Sequence, residues 1–140
     1  MIMAISTCKG CSQEFSYRPS QKTGIYCSNK CQMKHQQKMY IDGWLRGENG
    51  GGNGFQLSRH VRHYLIESSD NKCSQCGWGQ TNQHTRNVPL QIDHIDGDPH
   101  NHTANNLRVL CPNCHSLTPT YGCHGKGRKG RRALLMSSGN

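Results

Sequence analysis

The sequence contains few of the residues that build a hydrophobic core. Only 32% of its 140 residues are hydrophobic, and only 6% are aromatic. No apolar run approaches the roughly 20 residues that a membrane-spanning helix needs, so no membrane segment is predicted. Because hydrophobic residues are so few, the chain cannot bury a single large core. One domain, or two very small ones, must be held together by other means.

Acidic residues are also scarce. Eight Asp and Glu accompany seventeen Lys and Arg, which gives a formal net charge of +9. Four thiolates around one zinc ion carry a net charge of about −2, so two such sites would still leave a protein with a charge of about +5. This excess of positive charge favours contact with nucleic acid phosphates.

The first residues lack an apolar stretch long enough for a secretory signal peptide. We therefore expect a cytoplasmic protein, whose cysteines stay reduced. Cysteines are abundant: nine are present, and eight form four close pairs. In a reducing compartment such pairs favour zinc sites, with disulfides as the alternative. The pairs are Cys8 with Cys11, Cys27 with Cys31, Cys73 with Cys76, and Cys111 with Cys114.

The first two pairs predict one zinc module. Gly10 lets the backbone fold round a metal inside the first pair, and Ser28 can cap a helix that carries the second. We expect that helix over residues 29–40. The module resembles a treble-clef-type zinc ribbon. The basic side chains of its helix suit phosphate contacts, and a solvated face is the alternative.

A glycine-rich segment divides the sequence. Five of the eight residues in 47–54 are glycine, which predicts a linker without regular structure. It separates the zinc module, residues 1–46, from a second part, residues 55–122, and a basic tail is predicted over 123–140. The second part should begin with a helix, because apolar residues recur at helical spacing. These residues are Leu57, Val61, Tyr64 and Leu65.

The second part then predicts the order strand, long loop, strand, helix. Residues 88–95 and 107–110 have the pattern of short strands, and residues 96–99 form a turn between them. Pro112 suits the first turn of a short helix, which Pro119 ends. We expect the two strands to pair as a hairpin.

Side chains that can bind a metal ion or transfer a proton lie at the end of the first strand of this unit and in its helix, and an asparagine precedes the second strand. Asp93 and His94 are adjacent, Asn106 precedes the second strand, and His115 directly follows a CxxC pair. In this order they resemble the motif of HNH endonucleases, over roughly residues 73–121. The resemblance implies a small α+β protein stabilised by zinc, with a treble-clef-like ββα-metal nuclease unit after the N-terminal zinc ribbon.

The resemblance also implies an activity, the hydrolysis of phosphodiester bonds in double-stranded DNA by a phage or mobile-element enzyme of the homing type. Asp93 and His115 would hold Mg²⁺ or Mn²⁺, ions that suit oxygen ligands with one imidazole. His94 would be the general base, and Asn106, with Asn105 as the alternative, would orient it and pin the loop. The expected protein is a monomer or weak dimer, in the host cytoplasm if phage-encoded. The alternative is a zinc-bearing DNA-binding or regulatory module that does not cut.

Three details complete the expectation. Adjacent strand residues point to opposite faces, so Asp93 and His94 need a bulge or a strand end near Asp96 to act on one phosphate. The second set of four cysteines leaves a zinc ion no open position, so that zinc is predicted to be structural. The other histidines near the motif are interpreted as surface or loop residues; they are His100, His102 and His124.

Basic residues interleaved with glycines follow the motif. Such a segment suits phosphate contacts, and a solvated tail is the alternative. Beside a nuclease motif we favour DNA contact. The residues are Lys126, Arg128, Lys129, Arg131 and Arg132.

Overall fold

The computed structural model describes residues 2–123. A boundary between Arg46 and Gly47 divides this part of the chain into two compact units. None of its helices is both long and apolar enough to cross a membrane. The basic residues predicted to contact DNA lie outside the described residues; they are Lys126, Arg128, Lys129, Arg131 and Arg132.

The first unit begins with an antiparallel hairpin of two strands, β1 (Ala4–Thr7) and β2 (Glu14–Tyr17). A tight turn between them carries the first cysteine pair. The Cys8 N–H donates to the Gln13 carbonyl at 2.9 Å and closes this turn. Ser12 has a φ of 60°, the left-handed conformation that such a turn requires. The hairpin thus holds both cysteines of the pair in its turn.

The first helix, α1 (Asn29–Leu45), starts as predicted. The Ser28 hydroxyl accepts a hydrogen bond from an amide of the first turn at 3.2 Å, which confirms the predicted cap. The helix ends at Leu45 and not at residue 40. Ile41 and Trp44 lie one turn apart on its last part and are both buried. Burying these side chains favours the longer helix.

The second unit starts with a small hairpin, β3 (Gly52–Asn53) and β4 (Gln56–Leu57). Regular structure therefore begins inside residues 47–54, which corrects the prediction that this segment has none. Gly51 and Gly54 have φ values of 71° and 57°. Glycine adopts these angles at little cost, so the same residues that favour a linker also permit a tight hairpin.

The second helix, α2 (Arg59–Ser68), follows the hairpin, as the spacing of apolar residues predicts. Ser58 caps it by accepting a hydrogen bond from an amide of its first turn at 3.2 Å. Val61 is fully buried. Arg62 Nη2 donates to the Leu90 carbonyl at 3.2 Å, which ties α2 to the segment before the next strand.

Two strands and a short helix follow in the predicted order. β5 (Gln91–His94) and β6 (Leu107–Leu110) pair antiparallel, and α3 (Pro112–Ser116) leaves the second strand. The predicted hairpin is confirmed, but β5 starts later than residue 88. The Leu90 N–H donates to the Val88 carbonyl at 2.8 Å, a three-residue turn that delays the strand.

The core of the second unit is small and includes two cysteines. Leu90, Val109 and Leu110 form it together with Cys73 and Cys111. Any metal ion held by these cysteines would therefore be part of the packing that supports the hairpin. Partly buried residues complete the cluster; they are Leu65, Ile66, Val88, Ile92 and Cys114.

Candidate metal centres and active site

The four cysteines of the first unit lie close enough to share one metal ion. Their sulfur atoms all lie within 4.8 Å of one another. Cys27 Sγ is 3.8 Å from Cys11 Sγ and 3.5 Å from Cys31 Sγ, too far for a disulfide bond of about 2.05 Å. Sulfurs placed tetrahedrally at about 2.3 Å from zinc would be roughly 3.8 Å apart. With Cys8 as its fourth member, this tetrad could hold zinc.

A second tetrad connects separate elements of the second unit. Cys73 and Cys76 follow α2, whereas Cys111 and Cys114 lie at the start of α3. Their sulfurs also lie within 4.8 Å of one another, with 3.7 Å between Cys76 and Cys111. This tetrad could hold zinc too. Four cysteine ligands would leave such an ion no open position, which suits a structural site.

The charge of the first tetrad favours a divalent cation. The Cys27 N–H lies 3.3 Å from Cys8 Sγ, and it is the main group that lowers the pKa of Cys8 to about 6. The neighbouring Cys31 thiol raises the pKa of Cys27 to about 12. Without a cation, a thiolate at Cys8 thus lies beside a protonated Cys27, whereas a bound dication would stabilise all four residues as thiolates.

Asp93 is buried on β5, with 4% of its surface exposed. Its Oδ2 accepts a hydrogen bond from Nε of Arg108, its direct neighbour across the ladder, at 2.7 Å. Its Oδ1 lies 3.6 Å from His115 Nε2. The guanidinium compensates the buried carboxylate charge. The hairpin and α3 thus bring together the carboxylate and the imidazole that the sequence predicts as metal ligands.

Gln91 fixes the ring of His115. The Gln91 side-chain oxygen forms a hydrogen bond with His115 Nδ1. An amide oxygen only accepts, so His115 Nδ1 carries the hydrogen and the lone pair of a neutral ring lies on Nε2, facing Asp93. Tyr121 packs edge-on against the same ring, with centroids 5.2 Å apart. This is the arrangement by which proteins orient a histidine that binds a metal.

His94 is the last residue of β5. The register between β5 and β6 is unbroken up to His94, which lies opposite Leu107. Of the two expected features, a bulge or a strand end, the structure therefore has the strand end. The ring is half-buried, and its Nε2 lies 3.0 Å from Nδ1 of His102. Burial lowers the pKa of His94, and the nearby His102 lowers it further. The imidazole is therefore mainly neutral near pH 7.

Asn106 pins the loop between β5 and β6. Its Nδ2 donates to Asp96 Oδ1 at 2.9 Å and to the Asn101 carbonyl at 2.8 Å, and its Oδ1 accepts from the Asp96 N–H at 3.0 Å. Hydrogen bonds, led by the one from the Asn101 side chain, lower the pKa of Asp96 to about 2. The side chain of Asn106 thus connects both ends of this loop, and the ring of His94 is hydrogen-bonded to His102.

Three side chains of this site were not predicted: Gln91, Arg108 and His102. Gln91 and Asp93 share one face of β5, so the period of two along the strand could have identified Gln91. The sequence favours a surface or loop position for His102. It does lie in the loop, but only 3% of its surface is exposed. Asn105, the alternative to Asn106, is exposed.

Comparison with known proteins gives one informative similarity. No protein-family model and no solved structure matches the chain. The H-N-H endonuclease F-TflIV of Escherichia phage T5 is 40% identical over 63 residues, which is 45% of this chain. The matched region spans 27% of the length of that phage protein. This partial similarity supports the resemblance to HNH endonucleases.

Proposed function

We propose that the protein is a divalent-metal-dependent endonuclease of the HNH type, which hydrolyses phosphodiester bonds in double-stranded DNA. The observation that carries the proposal is the meeting of Asp93 and His115, from β5 and α3, next to the half-buried His94. The similarity to the phage T5 endonuclease supports it. By the same resemblance, a phage or mobile element encodes the enzyme, which is of the homing type and works in the host cytoplasm.

The proposed catalytic ion is Mg²⁺ or Mn²⁺. Magnesium ligands lie at about 2.0–2.1 Å, so two ligands of one ion are at most about 4.1 Å apart, and Asp93 Oδ1 and His115 Nε2, 3.6 Å apart, lie within that span. In the described part of the chain, the clusters of three or more potential ligands are the cysteine tetrads. This site therefore supplies two ligands and leaves room for water and phosphate oxygens. A bound ion would neutralise the charge that develops on the phosphate during hydrolysis.

His94 is the proposed general base. Because burial and His102 lower its pKa, the imidazole is neutral near pH 7 and accepts a proton from the attacking water. Its place at the end of β5 puts it directly beside Asp93 in the chain. By the resemblance to HNH endonucleases, His94 and the Asp93–His115 pair would act on the same phosphate at the end of the hairpin.

Arg108 is a candidate phosphate contact. Its Nε donates to Asp93, and a guanidinium has four further N–H donors. A third of its side-chain surface is exposed. Arg108 can therefore hold the carboxylate in place and still donate to a phosphate oxygen of DNA.

The proposed role of the two cysteine tetrads is structural zinc binding. The spacings of their sulfurs match a tetrahedral site, and the small core of the second unit contains two of the ligands, Cys73 and Cys111. Zinc at this position links the segment after α2 to the start of α3. It would thereby fix the position of His115 relative to β5.

The test of the proposed function is cleavage of supercoiled plasmid by the zinc-loaded full chain with and without Mg²⁺. For the metal-free reaction, Mg²⁺ should be omitted from the buffer and not removed with a strong chelator, because the chelator would also remove the structural zinc. We expect cleavage that requires Mg²⁺ or Mn²⁺. Binding of DNA without cleavage, in a folded protein with both zinc sites filled, would instead favour the DNA-binding module.

The proposed site also predicts the first product of cleavage. One ββα unit contains one general base and one catalytic metal site, so a monomer should cut one strand in each binding event. Supercoiled plasmid should become open circular before linear DNA forms, as measured on an agarose gel over a time course. Direct linearisation at low enzyme concentration would point to a dimer.

The basic residues after the motif are the proposed contacts to the DNA backbone. Replacing Lys126, Arg128, Lys129, Arg131 and Arg132 by alanine should weaken binding to all DNA sequences. If each side chain contacts one phosphate, the magnitude of the slope of log affinity against log salt should decrease by up to about 4.5, because fewer counterions are released. Binding measured over a salt series in Ca²⁺ gives this slope. An unchanged slope would support a solvated tail.

A further inference from the structure

The half-buried ring of His94 is connected to a backbone carbonyl through a second histidine. His94 Nε2 lies 3.0 Å from His102 Nδ1, and His102 Nε2 lies 2.9 Å from the carbonyl oxygen of Gly54. His102 is 3% exposed. These two hydrogen bonds give each ring nitrogen of His102 a partner within the second unit.

The carbonyl determines the direction of both hydrogen bonds. A carbonyl oxygen can only accept, so His102 Nε2 must carry a hydrogen and donate it to Gly54. In a neutral imidazole, Nδ1 of His102 is then an acceptor. His94 Nε2 must donate to it, which leaves the lone pair of a neutral His94 ring on Nδ1.

We propose that His102 is a positioning residue that selects the Nε2–H tautomer of His94 and so makes His94 Nδ1 the atom that accepts the proton from water. This inference rests on the proposed function of His94 as general base. His102 itself does not touch substrate. It acts through one hydrogen bond, in the way that a buried acceptor fixes the tautomer of a catalytic histidine in other hydrolases.

Two glycines of the glycine-rich segment lie against His102. A Cβ atom on Gly52 would lie 2.7 Å from His102 Cδ2, closer than side chains tolerate. Gly54, which supplies the carbonyl, has a φ of 57° at the turn of the β3–β4 hairpin. Glycines at these two positions let the backbone approach the ring and point a carbonyl at Nε2. The segment predicted as a linker thus orients the catalytic histidine.

Two substitutions separate the two hydrogen bonds of His102. In His102→Asn, the side-chain oxygen takes the place of Nδ1 and can still accept from His94. In His102→Gln, the amide nitrogen reaches the place of Nε2 and can still donate to Gly54, but the acceptor facing His94 is lost. Both variants are neutral and polar, so each serves as the control for the other.

We expect His102→Asn to cut plasmid within about threefold of the wild-type rate. His102→Gln should lower kcat by about 10- to 100-fold with KM nearly unchanged, because part of the general-base contribution of about 10²- to 10⁴-fold is lost. Zinc content and circular dichroism should be the same in both. Equal rates for the two variants would overturn the proposal.

Nuclear magnetic resonance of the imidazole nitrogens tests the same point without DNA. Long-range ¹⁵N–¹H correlations should identify His94 as the Nε2–H tautomer in the zinc-loaded wild type, and as a mixture in His102→Gln. An Nδ1–H tautomer in the wild type would overturn the proposal even if the variants failed to fold. A folded protein that shows the Nε2–H tautomer but cuts no DNA would contradict the proposed nuclease function, not the tautomer assignment.

Discussion

His94→Ala should lower the rate of plasmid cleavage by at least about 10²-fold while DNA affinity stays close to that of the wild type. General-base catalysis contributes about 10²- to 10⁴-fold, and all of it requires the imidazole. Asp93, His115 and the proposed zinc sites remain in place in this variant. The loss should therefore appear in kcat and not in binding. Cleavage in Mg²⁺ and binding in Ca²⁺ measure the two quantities separately.

The matched control for this prediction is His84→Ala. His84 is an exposed histidine of the same unit, outside the hairpin that carries the proposed site. We expect the His84→Ala variant to cut plasmid at the wild-type rate. Cleavage by His94→Ala at the wild-type rate would remove the general-base assignment. A large loss of affinity in this variant would instead mean that His94 mainly binds DNA.

Replacing Cys111 and Cys114 by serine should unfold the second unit and abolish cleavage. Structural zinc supplies an apparent ~10–16 kcal/mol in small zinc-binding peptides, whereas the net stability of a whole domain is about 5–15 kcal/mol. The loss of one such site therefore outweighs the stability of a unit with so small a core. Cys111 caps α3 through its side chain, and a serine at this position can still accept the hydrogen bond from the helix. The variant therefore removes the metal ligands but keeps the helix cap.

Metal analysis and circular dichroism measure this effect. The wild type should contain about two zinc ions per chain and the double variant about one. As a control, replacing Cys8 and Cys11 by serine should also leave about one zinc but preserve cleavage, because the proposed catalytic residues lie in the other unit. A wild type without zinc, or a Cys111 and Cys114 variant that still cuts, would contradict the structural role of the second tetrad.

The sequence predicted the parts of the fold that local patterns determine. The spacing of cysteines predicted both tetrads, and β6 has the predicted limits, residues 107–110. Boundaries were wrong where distant packing or a local turn decided them. The helix α1 continues to bury Trp44, and β5 starts late because a turn around Pro89 uses the amide of Leu90. Neither effect follows from periodicity alone.

The site was predictable only in part for the same reason. Asp93, His94 and His115 are recognisable because their order along the chain is characteristic. His102 is not, since its proposed role depends on the Gly54 carbonyl, 48 residues earlier in the chain. A glycine-rich segment predicts flexibility when it is considered alone. Only the three-dimensional structure reveals that a buried ring lies against it.

The hairpin β3–β4, with two residues in each strand, also has a consequence for native-state fluctuations. So short a hairpin adds little to the cooperative core, and elements of this kind open locally at a lower free-energy cost than global unfolding. Each such opening would separate the Gly54 carbonyl from His102 while the core of the second unit stays folded. If His94 is the general base, the fraction of molecules in which it is correctly oriented would then depend on the equilibrium constant for closing this hairpin, not on the stability of the fold.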